Sequence, residues 1–213
     1  MDKTYSDYAV SKTVELLGID SPTGFTAKAA EWVKAQFEAL GYTASITEKG
    51  GVLIELDGEN AADALLLEAH TDTLGGMVAE IKSNGRLRLT NLGGLCAANC
   101  ETENARLYTR GGAVIEGTLQ LCNASIHVNG DFADTKRSFD TTELVLDEDV
   151  KSAEDTRALG VEVGDFVCFD PRTRITKSGY IKSRFLDDKL SVGILLGLAK
   201  YMKDTGAKPE RRV

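Results

Sequence analysis

From about residue 74 to residue 170 the chain changes texture. Short runs of alternating apolar residues recur there, at 77–81, 87–90, 105–108, 114–121, 125–128, 143–146 and 165–169. The turn pairs Asn84-Gly85, Gly93-Gly94, Gly111-Gly112 and Asn129-Gly130 separate many of them. Short strands at such spacing predict a small all-β barrel or sandwich. One short helix is expected inside it, over 152–159, with Ser152 as N-cap and Asp155 three residues on. The flanks read as α/β. The expected architecture is therefore an α/β domain in two parts, residues 1–73 and 171–213, interrupted by an all-β insert at 74–170.

In the first part, Val10, Val14 and Leu17 fall at helical spacing, and Gly18 can close that helix. Residues 25–40 form an amphipathic helix with Ala30, Val33, Phe37 and Leu40 on one stripe and Gly41 as its stop. Residues 42–47 and 52–56 read as a hairpin turning at Gly50-Gly51, 60–63 as a polar break, and 65–70 as a short strand buried on both faces. In the last part, 179–185 is a strand candidate. Asp188 can cap an apolar helix over 189–203 that Gly206 ends, and 211–213 resembles the entry to a further strand.

The charge balance narrows the functional classes. Acidic side chains number 33 against 25 basic ones, giving a formal charge of −8. A general nucleic-acid binder needs clustered Lys and Arg, so no nucleic-acid partner is expected. No run approaches the ~18–20 apolar residues of a membrane helix, so no membrane partner is expected either. Four cysteines in 213 residues are too few for a disulfide scaffold and point to the cytoplasm.

Two constellations carry chemistry. His70-Thr71-Asp72 follows the apolar run 65–69. In extended chain, positions i and i+2 face the same side, so His70 and Asp72 converge. A neutral imidazole ligates a divalent metal, and a nearby carboxylate orients it. The alternative is a structural histidine bonded to Asp72 without metal. The second is Asp187-Asp188, between a strand candidate and a helix. One carboxylate can cap the helix while the other binds or bridges metal ions; simple capping is the alternative. Cys96-x3-Cys100, with Cys122, Cys168 and His127 elsewhere, lacks the second knuckle of a zinc site, and the bland reading is free thiols. The glycine pairs fit neither the dinucleotide nor the phosphate-loop pattern.

These residues carry a family likeness. Ser21-Pro22-Thr23-Gly24, Lys49-Gly50-Gly51, the run from Leu65 through His70-Thr71-Asp72 to Gly75, Gly160-Val161-Glu162-Val163-Gly164-Asp165, Phe169-Asp170-Pro171-Arg172, and Ser183-Arg184-Phe185-Leu186-Asp187-Asp188-Lys189 occur in one order. Together they resemble the tetrahedral (glutamyl or deblocking) aminopeptidases, co-catalytic dinuclear metallopeptidases some of which carry a cellulase or endoglucanase label. The resemblance implies an aminopeptidase-type α/β/α catalytic domain with an inserted β dimerisation domain. It implies His70 and Asp187 as metal ligands, with Asp187 bridging two divalent ions (zinc or cobalt), and Asp72 as the catalytic partner orienting His70. It further implies peptide substrates and dimers that assemble to a dodecamer. The family places its general-base Glu, a further ligand carboxylate and a last ligand His after the helix that here ends near Lys203. The chain is accordingly expected to resemble the N-terminal portion only and to be inactive by itself. The competing expectation is a non-catalytic assembly module pairing with a full-length homologous subunit; a deacylase or carboxypeptidase with a related metal centre is a third.

Overall fold

A computed structural model describes residues 3–213. Along the chain run α1 (Lys3–Leu17), α2 (Ala27–Ala39), β1 (Thr43–Ile46), β2 (Val52–Glu55), β3 (Asn60–Ala64), β4 (Gly75–Ile81), β5 (Leu87–Leu92), β6 (Asn104–Tyr108), β7 (Val114–Leu121), β8 (Thr142–Leu146), α3 (Ala153–Ala158), β9 (Phe166–Phe169), β10 (Arg174–Ile175), β11 (Ile181–Lys182), α4 (Leu186–Thr205) and β12 (Arg211–Arg212). The fold is mixed α/β and divides into two compact units. One comprises the residues up to Thr73 together with Pro171–Val213; the other is Leu74–Asp170.

The Leu74–Asp170 unit is a closed barrel of strand order β4-β5-β8-β7-β6-β9, antiparallel throughout. Alternation dictates its interior. Leu87 and Leu89 on β5, Leu107 on β6, Leu119 on β7, Leu144 on β8 and Val167 on β9 are all buried in one core. Each such side chain contributes roughly 1.5–3 kcal/mol when withdrawn from water. Gly117 lets β7 and β8 pass closely: a Cβ there would lie 2.5 Å from the Val145 carbonyl oxygen. Helix α3 is capped by Ser152, whose Oγ accepts the Asp155 N–H at 3.2 Å. Thr156 ties that helix to the β4–β5 turn, its hydroxyl donating to Gly85 O at 2.7 Å. The strand expected at 125–128 does not form. Ser125 O accepts the N–H groups of Val128 and Asn129, which closes a turn instead. Ile126 and Val128 are exposed, so no burial favours extended pairing there.

The other unit is built on helices. Leu16 of α1, Ala29, Val33 and Phe37 of α2, and Val192, Leu196, Ala199 and Met202 of α4 share one core with Ala44 and Leu56. The hairpin β1–β2 pairs Ile46 with Val52 across the Gly50-Gly51 turn, where Gly50 has φ 82°. Tyr42 donates its hydroxyl to Ala199 O at 2.9 Å, joining the end of α2 to α4, and burial pushes that phenol's pKa up. Two segments of this unit differ from their expected structure. Residues 60–63 are not a break: β3 pairs in parallel with β12. Residues 65–70 are not a strand; Leu65 N–H donates to Arg212 O, and beyond it no strand pairs with this segment among the described residues. Leu65, Leu66 and Leu67 are exposed, Leu66 at 72 %. An apolar run becomes a buried strand only where neighbours hydrogen-bond both of its edges. No described helix is long and apolar enough to cross a membrane.

Candidate metal centre

The segment bearing His70 is not a sheet strand, and a neighbouring turn holds it. Ser21 is buried, and its hydroxyl donates to Thr71 O at 2.7 Å. Thr73 N–H donates to Ser21 O at 2.9 Å and Thr23 N–H to Thr73 O at 3.2 Å, so Pro22 and Thr73 form a parallel bridge. Residues 71–73 are thereby fixed against the Ser21-Pro22-Thr23 turn at backbone level.

His70 and Asp72 converge as the i, i+2 spacing requires. His70 Nδ1 lies 3.1 Å from Asp72 Oδ1 and 3.2 Å from the Asp72 carbonyl oxygen. Both neighbours are acceptors, an environment that suits the tautomer with its hydrogen on Nδ1. The other carboxylate oxygen, Oδ2, accepts the Thr23 hydroxyl at 2.6 Å.

Asp187 reaches the same imidazole from 117 residues away: its Oδ1 is 3.1 Å from His70 Nε2. The local backbone explains how. Phe185 takes a left-handed conformation (φ 65°), and Asp187 and Asp188 have non-helical φ/ψ with a cis peptide between them. Regular α4 therefore begins at Lys189, and the Asp187 side chain is left 94 % exposed at the helix start. Lys189 is 1 % exposed and donates to Leu16 O at 3.1 Å and Ile19 O at 2.6 Å. It supplies donors to carbonyls at the end of α1 and anchors the first turn of α4 there. A cavity of about 470 Å³ adjoins His70, Thr71 and Asp72, with Val33, Phe37 and Val192 on its apolar wall.

Sequence reasoning did not single out Thr23 or Lys189. The signals were a hydroxyl within the Ser-Pro-Thr-Gly turn and a lone cation opening an apolar helix. Among the described residues no group of three or more His, Cys, Asp or Glu side chains is arranged to hold an ion. None of the four cysteines is in a disulfide; Cys96 and Cys122 are exposed, Cys100 and Cys168 buried. His127 is exposed in the barrel unit.

Along the chain, the barrel segment Leu74–Asp170 separates the His70 segment from the Asp187 segment. Residues 50–211 match the model of the M42 glutamyl aminopeptidases, and the chain belongs to that family. It is 41 % identical over 194 residues to YhfE, a candidate aminopeptidase of Bacillus subtilis (strain 168), covering 89 % of this chain and 56 % of that one. It is 24 % identical over 198 residues to the glutamyl aminopeptidase of Lactococcus lactis subsp. cremoris (strain MG1363), covering 91 % and 54 %. The chain thus spans about half the length of these relatives. In fold it is similar to the TET aminopeptidase of the marine sediment archaeon Thaumarchaeota archaeon SCGC AB-539-E09, with a TM-score of 0.82 at 20 % identity over 96 % of this chain and 56 % of that one. The Pyrococcus horikoshii TET1 peptidase, described as assembling into a tetrahedron or a large octahedral shell, gives a TM-score of 0.77 at 22 % identity, covering 92 % and 57 %.

Proposed function

We propose that this chain supplies the His70–Asp187 part of a divalent-metal site in an aminopeptidase that removes N-terminal residues from peptides. One observation carries the reading: His70 Nε2 and Asp187 Oδ1 stand 3.1 Å apart although 117 residues separate them. With the hydrogen on Nδ1, a lone pair and a carboxylate oxygen face each other. That pairing is repulsive unless a positive charge stands with them, either a proton on Nε2 or a metal ion. Two donors each ~2.0–2.1 Å from a zinc-sized ion stand roughly 3 Å apart, which this geometry fits.

A bound divalent pair, zinc or cobalt, supplies an acidified water and a polarised carbonyl. The chain's own residues do the remaining work described here. His70 presents Nε2, Asp72 holds the ring through Nδ1, and Asp187 offers an exposed carboxylate with a second oxygen free to bridge. His70 and Asp187 do not complete the coordination of two ions, and no described side chain beside them takes the part of a general base. The 213-residue chain by itself is therefore inactive or nearly so in this reading.

Metal binding tests it. Isothermal titration of the chain with Zn²⁺ or Co²⁺ gives weak binding that His70→Ala and Asp187→Ala each abolish. Binding unchanged in either variant overturns the ligand assignment. Turnover of free-N-terminus peptides by the metal-loaded chain, absent from the His70→Ala protein, overturns the inactivity. The β unit is read as the assembly surface of homo-oligomers, in keeping with the shells formed by the TET1 relative. A monomer by sedimentation at all concentrations contradicts that. The compartment is read as the cytoplasm, since none of the four cysteines forms a disulfide.

A further inference from the structure

We infer that Thr23 is a positioning residue for the His70 imidazole, acting through Asp72; this rests on the metal-site reading above. A carboxylate beside a histidine orients it only if the carboxylate is itself held, because rotation about its terminal torsion is broad and lets the two oxygens exchange places. Here the rotation is stopped on one side. The Thr23 hydroxyl donates to Asp72 Oδ2 at 2.6 Å, leaving Oδ1 turned to His70 Nδ1 at 3.1 Å. The chain of contacts continues from Nε2 to Asp187 Oδ1 at 3.1 Å. Hydroxyl, carboxylate and imidazole thus form one line ending at the ligand atom.

Thr23 is well suited to this. A β-branched side chain has a restricted χ1. Its own backbone is fixed, since its N–H donates to Thr73 O and the preceding Ser21 bonds the 71–73 segment through its hydroxyl and carbonyl. The turn therefore carries the hydroxyl on the same short scaffold that carries Asp72. Water can replace a lost hydroxyl at this exposed position, but it is not tethered. The expected effect of removing the donor is a looser imidazole rather than a lost fold. Groups orienting a metal-bound histidine typically change metal affinity by about 10–100-fold, and one bond further out the change is taken as about tenfold.

The test uses the whole chain, Zn²⁺ as probe, and Thr23→Val, which keeps shape and branching, beside Thr23→Ser, which keeps the donor. The chain has two histidines, so ring-nitrogen NMR shows two imidazoles, and His127→Gln assigns them. On zinc addition the parent protein is expected to show Nε2 of His70 as the bound nitrogen and Nδ1 as the protonated one. Thr23→Val is expected to bind zinc about tenfold more weakly and to show a mixture of ring states at equal saturation, with Thr23→Ser restoring both. Val and parent proteins alike in affinity and ring state overturn the role of Thr23 while the site stands. A parent protein whose His70 ring does not respond to zinc overturns the metal-site reading itself. If the Val protein does not fold, Thr23→Ala is read in its place by the same criteria.

Discussion

Gly193 on α4 lies so close to Thr13 on α1 that a Cβ at Gly193 would clash with Thr13 Oγ1 and stand 2.9 Å from the Ala9 carbonyl oxygen. One turn on, a Cβ at Gly197 would meet Ala9 Cβ at 2.9 Å. Paired glycines four apart let the two helix backbones approach. Gly193→Ala is expected to destabilise the chain by about 3 kcal/mol in urea unfolding, by overpacking. Adding Thr13→Ala should recover part of that loss, because the nearest clashing atom is removed. Full additivity of the two substitutions would show that they do not share this contact.

Lys189 offers a second check on the same seam. Lys189→Met keeps length and apolar stem but leaves the Leu16 and Ile19 carbonyls without this donor. A loss of about 1–3 kcal/mol is expected, read as a lowered denaturation midpoint. A variant as stable as the parent would mean water takes over both bonds.

In the barrel, Glu143 has a side chain 2 % exposed and is paired with Lys82 at 2.7 Å and with Arg86. Replacing both cations by Met strands a buried carboxylate, and about 3–5 kcal/mol should be lost. Glu143→Gln leaves the partly exposed Lys82 and Arg86 to water and should cost only about 1–2 kcal/mol. Equal losses from the two changes would contradict this asymmetry.

The same pair sets an alkaline limit. The hydrogen bond to Glu143, with its negative charge, holds the Lys82 ammonium above the usual lysine range. A pKa raised by folding gives stability that is complete below the unfolded value of about 10.4 and is lost as pH rises through the folded one. At the acid end the order reverses for Asp155. The Lys151 backbone N–H, followed by the Ser152 hydroxyl, lowers its pKa. Its contribution is present above about pH 3.9 and disappears as pH falls through the lower folded value. Denaturation midpoints across pH should show Glu143→Gln flattening the first limb and Asp155→Asn the second.

The exposed run Leu65-Leu66-Leu67 carries open backbone groups and apolar side chains together. Self-association that grows with concentration is expected, and Leu66→Lys should reduce it in light scattering. Unchanged association would place the sticky surface elsewhere.

Much of the fold was legible because its periodicities are local. The α2 stripe of Ala30, Val33 and Phe37, the Gly50-Gly51 hairpin and the alternating barrel strands each declare themselves within a few residues. What escaped depends on distant partners. Asn60-Ala61-Ala62-Asp63 has polar ends yet pairs with β12, since backbone groups far along the chain decide it. The run 65–70 has a buried strand's composition but not its neighbours. At the candidate site, His70 and Asp72 announced their convergence by i, i+2 spacing. The approach of Asp187 was carried only by the family likeness. Thr23 acts through a side-chain hydrogen bond to Asp72 and Lys189 through two to the end of α1, contacts dozens of residues away that no spacing rule reports.

Helix α4 is a rod joined at one end to the turn that holds Asp187 and seated along its middle on Thr13 and Ala9. Lateral slack at that seat would be delivered to the tip as misplacement of a charge. Small side chains at that seat would then also serve aim, and softer packing there is expected to weaken divalent-ion binding at the proposed site before it lowers solubility.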